Sequence, residues 1–166
     1  WAANGVPVRN VIGSPRSFTS ARAIPDGAGG AIVSWDDLRS GSSNVYLQRL
    51  NNAGVPQWTF NGVAVSTAAG GRRATQIASD GIGGAIVVWR DGRTTATSGE
   101  DIYAQRFDAA GILQWPEATV ITTAGDDQTF PQLVTDSIGG AIVAWQDRRD
   151  GNNDIYAQRI GASGRQ

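Results

Sequence analysis

The side chains of this sequence that could carry out chemistry are of few kinds. Cysteine, histidine, methionine and lysine are all absent from its 166 residues. A Ser-His-Asp triad, a Cys-His pair, a Schiff-base lysine and zinc sites built on histidine or cysteine are therefore excluded within this chain. Carboxylates, arginines, tyrosines and hydroxyl groups remain.

The carboxylates form no recognisable catalytic motif. A glycosidase needs two carboxyl groups about 5 to 9.5 Å apart, and the only glutamates are Glu100 and Glu117, which have no equivalent positions in the chain. A unique site would lie in the segment Thr94–Glu100, whose composition is also that of a loop. We predict that the chain is not an enzyme, and keep a carboxylate-based glycosidase or lyase as a third hypothesis.

An Asp-x-Arg motif occurs three times and ends at Arg39, Arg93 and Arg149. Three copies on one rim could bind an anionic or sugar ligand through bidentate arginine contacts. In the structural alternative, each aspartate accepts hydrogen bonds from a turn and the arginine pairs with it. The alternative is favoured because a structural device is expected in every repeat.

Acidic residues around Gly151 invite comparison with a calcium loop. Asp147, Asp150 and Asp154 are the candidate ligands, and calcium binds about six to eight oxygens. The spacing differs from that of an EF-hand, and serine or threonine replaces the acids in the sister loops. A polar turn is favoured, and we predict no metal or cofactor.

The six tryptophans fall into two sets of three. Trp1, Trp58 and Trp115 are 57 residues apart and lie near turns, which makes them candidates for stacking on sugar rings. Trp35, Trp89 and Trp145 each end an apolar run, and we expect them in the core. Tyr46, Tyr103 and Tyr156 are expected to pack between strands.

The apolar runs belong to a threefold internal repeat. GGAIVSW, GGAIVVW and GGAIVAW begin at Gly29, Gly83 and Gly139, at spacings of 54 and 56 residues. Repeats of this period are typical of arrays and propellers, whose units bury their apolar faces against neighbours. The repeat also connects the chain ends, since Gln166 followed by Trp1 would restore the dipeptide Gln-Trp found twice inside the chain.

Each repeat contains four short runs of strand character separated by Gly, Asn, Asp and Ser, with no sustained helical period. We therefore predict an all-β chain. In the second repeat, for example, the runs are Thr75–Ser79, the buried run before Trp89, the run DIYAQRF from Asp101, and Val120–Thr122.

The pattern D-G-x-G-G-x-I-V-x-W-x-D-x-R-x-G-x-x-D-I-Y resembles the TolB-type, WD-like β-propeller repeat over about 30 residues of each unit. The resemblance implies four-stranded blades packed radially around a channel, and implies no reaction. Three blades, half a propeller, would span about 17–67, 73–123 and 129–160 as one repeat domain, the third completed by a strand at 1–9 of a neighbouring chain.

Three blades leave an open arc, because propellers close with about four to eight. A head-to-tail homodimer would give a six-bladed ring, with Trp1, Val6, Val8 and Ile160 at the contact; a trimer is less favoured. A heterologous contact that fails to close would give a filament. The other hypothesis is that further repeats of a longer chain complete the ring.

Charge and composition limit the partners. The formal net charge is −1 without a basic stripe, so nucleic acid is not expected, and no apolar run predicts membrane insertion. We predict a non-enzymatic, extracellular or cell-surface β-propeller module for self-assembly and scaffolding or multivalent binding. The alternative is a lectin-like carbohydrate-binding propeller, with glycans as partners.

Overall fold

The computed structural model describes residues 1–9, 19–96, 99–115 and 118–166. These residues form eleven strands and no helix, and therefore no helix that could cross a membrane. The strands are β1 Thr19–Pro25, β2 Ala31–Asp37, β3 Asn44–Leu50, β4 Val63–Ala64, β5 Arg72–Ser79, β6 Ala85–Asp91, β7 Asp101–Phe107, β8 Thr119–Thr122, β9 Gln128–Thr135, β10 Ala141–Asp147 and β11 Asp154–Ile160.

The strands form three antiparallel sheets, one for each repeat. Sheet 1 has the order β1-β2-β3-β4, sheet 2 the order β5-β6-β7-β8, and sheet 3 the order β9-β10-β11. The all-β prediction is confirmed. The start of the first predicted unit, at 17 and 18, lies outside the described residues, and the predicted unit boundaries stay predictions.

The turn between the first two strands of each sheet is closed by an aspartate. In sheet 2, Asp80 accepts hydrogen bonds from the backbone N–H groups of Ile82 and Gly84 at 3.0 and 2.8 Å. Asp26 and Asp136 make the same pair of bonds in their own turns. This local bonding explains why the Asp-Gly and Asp-Ser dipeptides begin tight turns.

The core lies between the sheets, in two layers. One layer joins sheets 1 and 2 through residues such as Ile32, Leu47 and Trp89, and the other joins sheets 2 and 3 through residues such as Ile86 and Trp145. The strands β1, β5 and β9 lie side by side along the series. Burial of both faces of sheet 2 explains the unbroken apolar run of β6.

Candidate functional site

A pocket of about 210 Å³ lies where sheets 1 and 2 meet, and Glu100 forms part of its wall. Ser43, just before β3, and Arg72, at the start of β5, hold the two sheets together there. The Arg72 N–H donates to the Ser43 carbonyl at 2.8 Å, and the Ser43 hydroxyl donates to the Arg72 carbonyl at 2.9 Å. The pocket therefore has a fixed floor between two sheets.

Glu100 precedes β7 and is 6% exposed. Its carboxylate forms ion pairs with Arg73 of β5 and Arg90 of β6. Its backbone N–H donates to Asp127 Oδ1 at 2.9 Å, and its carbonyl accepts from the N–H of Gln128 at 2.7 Å. Glu100 thus connects three strands of sheet 2 with the start of sheet 3.

The charges around Glu100 balance, with Arg73 and Arg90 facing Glu100 and Asp127. Burial lowers the pKa of Arg90, the Arg73 guanidinium lowers it further, and the Asp127 carboxylate raises it. The Arg73 side chain is mostly exposed, so one of the two cations extends from the pocket into solvent. This arrangement places a carboxylate and a guanidinium together at the pocket.

Two threonines beside this pocket, Thr94 and Thr95, are held by hydrogen bonds. Asp101 is fully buried and accepts a hydrogen bond from the hydroxyl of Thr94. Thr95, which lines the pocket, donates its hydroxyl to the Gly92 carbonyl at 3.0 Å. Positions 97 and 98 of the segment from 94 to 100 lie outside the described residues.

Sequence reasoning located the segment but missed most of the cluster. Glu100 lies in the stretch predicted to hold any unique site, whereas Arg73, Arg90 and Asp127 were not predicted. A signal was present: the residue after the buried tryptophan is Asp36 in the first repeat, Arg90 in the second and Gln146 in the third. Glu117 lies outside the described residues.

The three predicted Asp-x-Arg arginines lie within separate sheets, not on a shared ligand site. In sheet 3, Arg149 donates from Nε and Nη2 to the two oxygens of Asp147, at 3.0 and 2.5 Å, and its guanidinium carbon lies 4.0 Å from the centre of the Tyr156 ring. Arg39 and Arg93 pair with Asp37 and Asp91 and cover Tyr46 and Tyr103 in the same way. The geometry is that of the structural alternative.

Arg93 also lines a second pocket, of about 510 Å³, on the outer side of the contact between sheets 1 and 2. Tyr103, Gln105 and Leu113 line it as well. Arg93 donates from Nε and Nη2 to the two Asp91 oxygens, so its charge in this pocket is already paired within the sheet.

The aspartates of the motif are held ionised. Burial raises the pKa of Asp147, but hydrogen bonds from Arg149 and from the Trp145 indole outweigh burial and lower the pKa to about 2. The pKa values of Asp37 and Asp91 are lowered by the same kinds of contact against the same effect of burial. Each aspartate therefore anchors a tryptophan and an arginine.

Of the tryptophans proposed to stack on sugars, two are buried. Trp58 and Trp115 donate their indole N–H groups to the carbonyls of Ala109 and Ala162, each at 3.0 Å, and pack against the following sheet. Trp1 is 66% exposed. The lectin-like hypothesis therefore loses two of its three aromatic platforms. The expectation that Trp35, Trp89 and Trp145 are core residues is confirmed.

The proposed calcium ligands do not form a cluster. Among the described residues, no group of three or more carboxylates is arranged to hold a metal ion. Both Asp147 oxygens are bonded to Arg149 or Trp145, and Asp150 Oδ2 accepts from the Tyr156 hydroxyl at 3.3 Å. These contacts agree with a polar turn.

Comparison with known proteins gave a structural likeness. No protein-family model and no curated protein matches the chain, so the TolB-type resemblance stays a prediction. The crystal structure of an endo-arabinase from Bacteroides thetaiotaomicron matches with a TM-score of 0.51 and 17% identity, over 86% of this chain and 56% of that one. At this identity, the likeness shows the fold alone.

The prediction that the chain is not an enzyme is contradicted by this likeness, because the matching structure is that of an enzyme, an endo-arabinase. The chain spans a little over half of that enzyme's length, 56%. Its three sheets have the fold of part of an endo-arabinase.

Proposed function

We propose that this chain is part of a β-propeller enzyme that binds a polysaccharide and cleaves its glycosidic bonds, with the pocket at Glu100 as its active site. The three sheets are three blades of a propeller, and six blades complete the ring. The endo-arabinase fold supports a carbohydrate substrate and makes arabinan the first one to test.

One observation carries the proposal: Glu100 is a buried carboxylate on a pocket wall at the place where the threefold repeat is broken. A structural device recurs in each sheet, as the Asp-Arg pairs do, whereas a catalytic group needs to occur once. Among the described residues, no other repeat places a glutamate there. A catalytic role therefore best explains why this position of the repeat holds a glutamate in sheet 2.

The roles follow from the charges. Glycosidases of the common kind use two carboxyl groups, one acting as acid and the other as nucleophile or base. The carboxylate of Glu100 is paired with two arginines, and a carboxylate in a cationic setting suits a nucleophile or a base. Asp127, half-exposed and bonded to the Glu100 N–H, is the neighbouring carboxyl group available as the acid. Arg73 is placed to bind sugar hydroxyl groups.

The test is the release of reducing sugar from arabinan and a panel of other plant and bacterial polysaccharides. Glu100→Gln keeps the shape of the side chain and is expected to lower kcat by about 100-fold or more, the range for loss of a catalytic carboxyl group. Asp127→Asn is expected to lower kcat, because an amide cannot protonate the leaving group. Asp150→Asn, on the exposed turn of sheet 3, is the matched control.

Glu100 also connects strands, so the thermal unfolding midpoint of each variant must be measured beside its rate. Loss of activity in a variant that keeps the midpoint of the control supports catalysis. The proposal is wrong if the assembled wild-type protein releases no sugar from any substrate, or if folded Glu100→Gln keeps the wild-type rate.

A further inference from the structure

We propose that the open face and edge of sheet 3 are covered by a second copy of this chain, whose segment Trp1–Val8 pairs with β11 and completes the sheet. The pairing rests on the propeller arrangement proposed above but not on glycoside cleavage. Five observations on the packing of the three repeats support it.

The first observation is that one interface occurs twice within the chain. Ile32, Val45 and Leu47 of sheet 1 pack on Ala85, Val87 and Trp89 of sheet 2. Their counterparts Ile86, Ile102 and Ala104 of sheet 2 pack on Ala141, Val143 and Trp145 of sheet 3. All twelve side chains are buried.

The second observation is that each half of this interface remains open at one end of the series. Ile142 and Ile155, the counterparts of Ile86 and Ile102, are 42% and 77% exposed on the outer face of sheet 3. At the other end, Ala31 and Val33 of sheet 1 are only half-buried. Sheet 3 of one copy therefore fits sheet 1 of another, and exposed apolar surface of this kind marks an interface.

The third observation concerns a glutamine that binds the outer segment of each four-stranded sheet, which is the stretch of chain that leads into the fourth strand. The side chain of Gln48 in β3 accepts a hydrogen bond from the backbone N–H of Trp58 at 2.8 Å and donates to the Thr59 carbonyl at 3.0 Å. Gln105 of β7 clamps the backbone of Trp115 in the same manner. Gln158 of β11 is only half-buried, and its amide donates to the carbonyl of its own neighbour, Arg159. The residue equivalent to Trp58, 57 positions earlier, is Trp1. We therefore expect Gln158 to bind the backbone at Trp1 of the other copy.

The fourth observation is that Trp1 already sits as the tryptophan of a preceding sheet. Its indole N–H donates to the Asn52 carbonyl at 2.9 Å, and its ring covers Gly54. Trp58 and Trp115 make the same contacts with the next sheet, through Ala109 and Gly111 and through Ala162 and Gly164. Residues 1–9 therefore hold, against sheet 1, the place that the outer segment of sheet 1 holds against sheet 2.

The fifth observation is a glycine that has no neighbour to fit. A side chain at Gly62, with φ +86°, would lie 2.6 Å from both the Trp35 ring and the Leu47 carbonyl. Gly5, its counterpart, has φ +89° and open space around it. In the proposed pair, Gly5 lies on Trp145 of the other copy. Similarly, Arg39 Nη1 donates to the Asn61 carbonyl at 2.8 Å. We therefore expect Arg149 of one copy to donate to the carbonyl of Asn4 of the other.

The occupant is a second copy because Trp1–Val8 supplies each of these missing parts with the residue type that sheet 1 uses. Two copies joined in this way contain six sheets, all with the same contact between neighbours. The register follows from sheet 1, in which Leu47 pairs with Val63. Val6 of one copy is therefore expected opposite Ala157 of the other.

The first test is the solution mass of the 166-residue chain by light scattering at two concentrations. We expect a stable mass of twice 17.4 kDa. Ile155→Asp is expected to give a folded monomer, and Gln158→Ala to raise the dimer dissociation constant by about 5- to 10-fold, the worth of a lost hydrogen bond. Ile82→Asp, at a turn residue that is 73% exposed, should leave the mass unchanged.

The second test uses the absence of cysteine. The double variant Val6→Cys/Ala157→Cys is expected to form disulfides between copies, whereas Val6→Cys/Gln158→Cys is one residue out of register, places the thiols on opposite faces and should not. A monomeric wild-type protein, a dimer that survives both Ile155→Asp and deletion of Trp1–Val8, or equal cross-linking of both pairs would overturn the proposal. A ladder of cross-linked chains would support the strand pairing but contradict a closed pair. Assembly and activity are measured separately, so either proposal can fail alone.

Discussion

At the scale of single residues, the most repeated device is a buried aspartate that holds a tryptophan and an arginine. In each sheet the indole N–H donates to the carboxylate, and the arginine lies on the tyrosine that stacks on the same tryptophan. The sequence predicted both the burial of these tryptophans and the structural alternative for the Asp-x-Arg motif, because the motif recurs in full. Glu100 and its partners occur once, so repetition gave no guide to their contacts.

This device predicts a loss of stability in acid. The pKa of Asp147 is about 2 in the folded chain against an ordinary value of 3.8, so the unfolded chain binds more protons between these values. The stabilisation by Asp147 is fully present above about pH 4 and is lost as the pH falls towards about 2. Asp37 and Asp91, whose pKa values are also lowered, act in the same direction.

The measurement is the free energy of unfolding in urea at several pH values from about 6 to about 3. Asp147→Asn is expected to be less stable at about pH 6, because a charged partner of Arg149 is lost, and to depend less on pH below about 4. An unchanged pH slope in Asp147→Asn would contradict the assignment. Asp150→Asn, at an exposed position of the same sheet, serves as the control.

At the scale of elements, the sequence located the central strands best. The apolar run before each buried tryptophan is a strand in all three sheets, as predicted. The first strand of sheet 2 begins earlier than predicted, at Arg72 instead of Thr75. A shift of register interrupts the first strand of each sheet near its start. Phe130, at the shift in β9, has a φ of +52°. The alternation of side chains that identifies a strand is broken at such a bulge.

The close approach of the glycine pair to the third strand gives a prediction for a whole sheet. A β-carbon on Gly84 would overlap the carbonyl oxygen of Phe107 in β7 and approach Asp80 Oδ2. Gly84→Ala is therefore expected to push β6 away from β7 and to lower the free energy of unfolding by about 2 to 3 kcal/mol. Urea unfolding measures this loss.

Gly125→Ala is the matched control, because its added methyl group would meet no atom within 4 Å and its φ is not in the left-handed region. Its free energy of unfolding should stay within about 0.5 kcal/mol of the wild type. Equal stability of the two variants would show that the contact between β6 and β7 does not depend on the glycine.

At the scale of the whole molecule, composition proved a poor guide to activity. The missing histidine, cysteine and lysine excluded several kinds of enzyme but left carboxylate chemistry open, and the likeness to an endo-arabinase contradicts the non-enzymatic prediction. The repeat period was the better guide to architecture, because it predicted three similar units that need neighbours. An extracellular or cell-surface location stays a prediction.

Residues, strands and sheets all bear on the proposal that the series of sheets continues from sheet 3 of one copy into residues 1–9 of another. Among the described residues of a single chain, β4 and β8 pair with the outer edges of β3 and β7, and no strand pairs with the outer edge of β11. Backbone N–H groups on an open edge exchange with solvent far faster than those bonded within a sheet. Hydrogen exchange therefore reports, for each strand, whether its edge is paired.

The most direct measurement is hydrogen exchange of the backbone N–H groups of β11 in the wild-type chain, compared with β7. If the second copy pairs with β11, we expect the outward-facing N–H groups of β11 to exchange as slowly as the N–H groups of β7 that face β8. We expect Ile155→Asp to make the exchange of these β11 groups fast. Fast exchange along the outer edge of β11 in the wild-type chain, beside slow exchange in β7, would contradict this pairing.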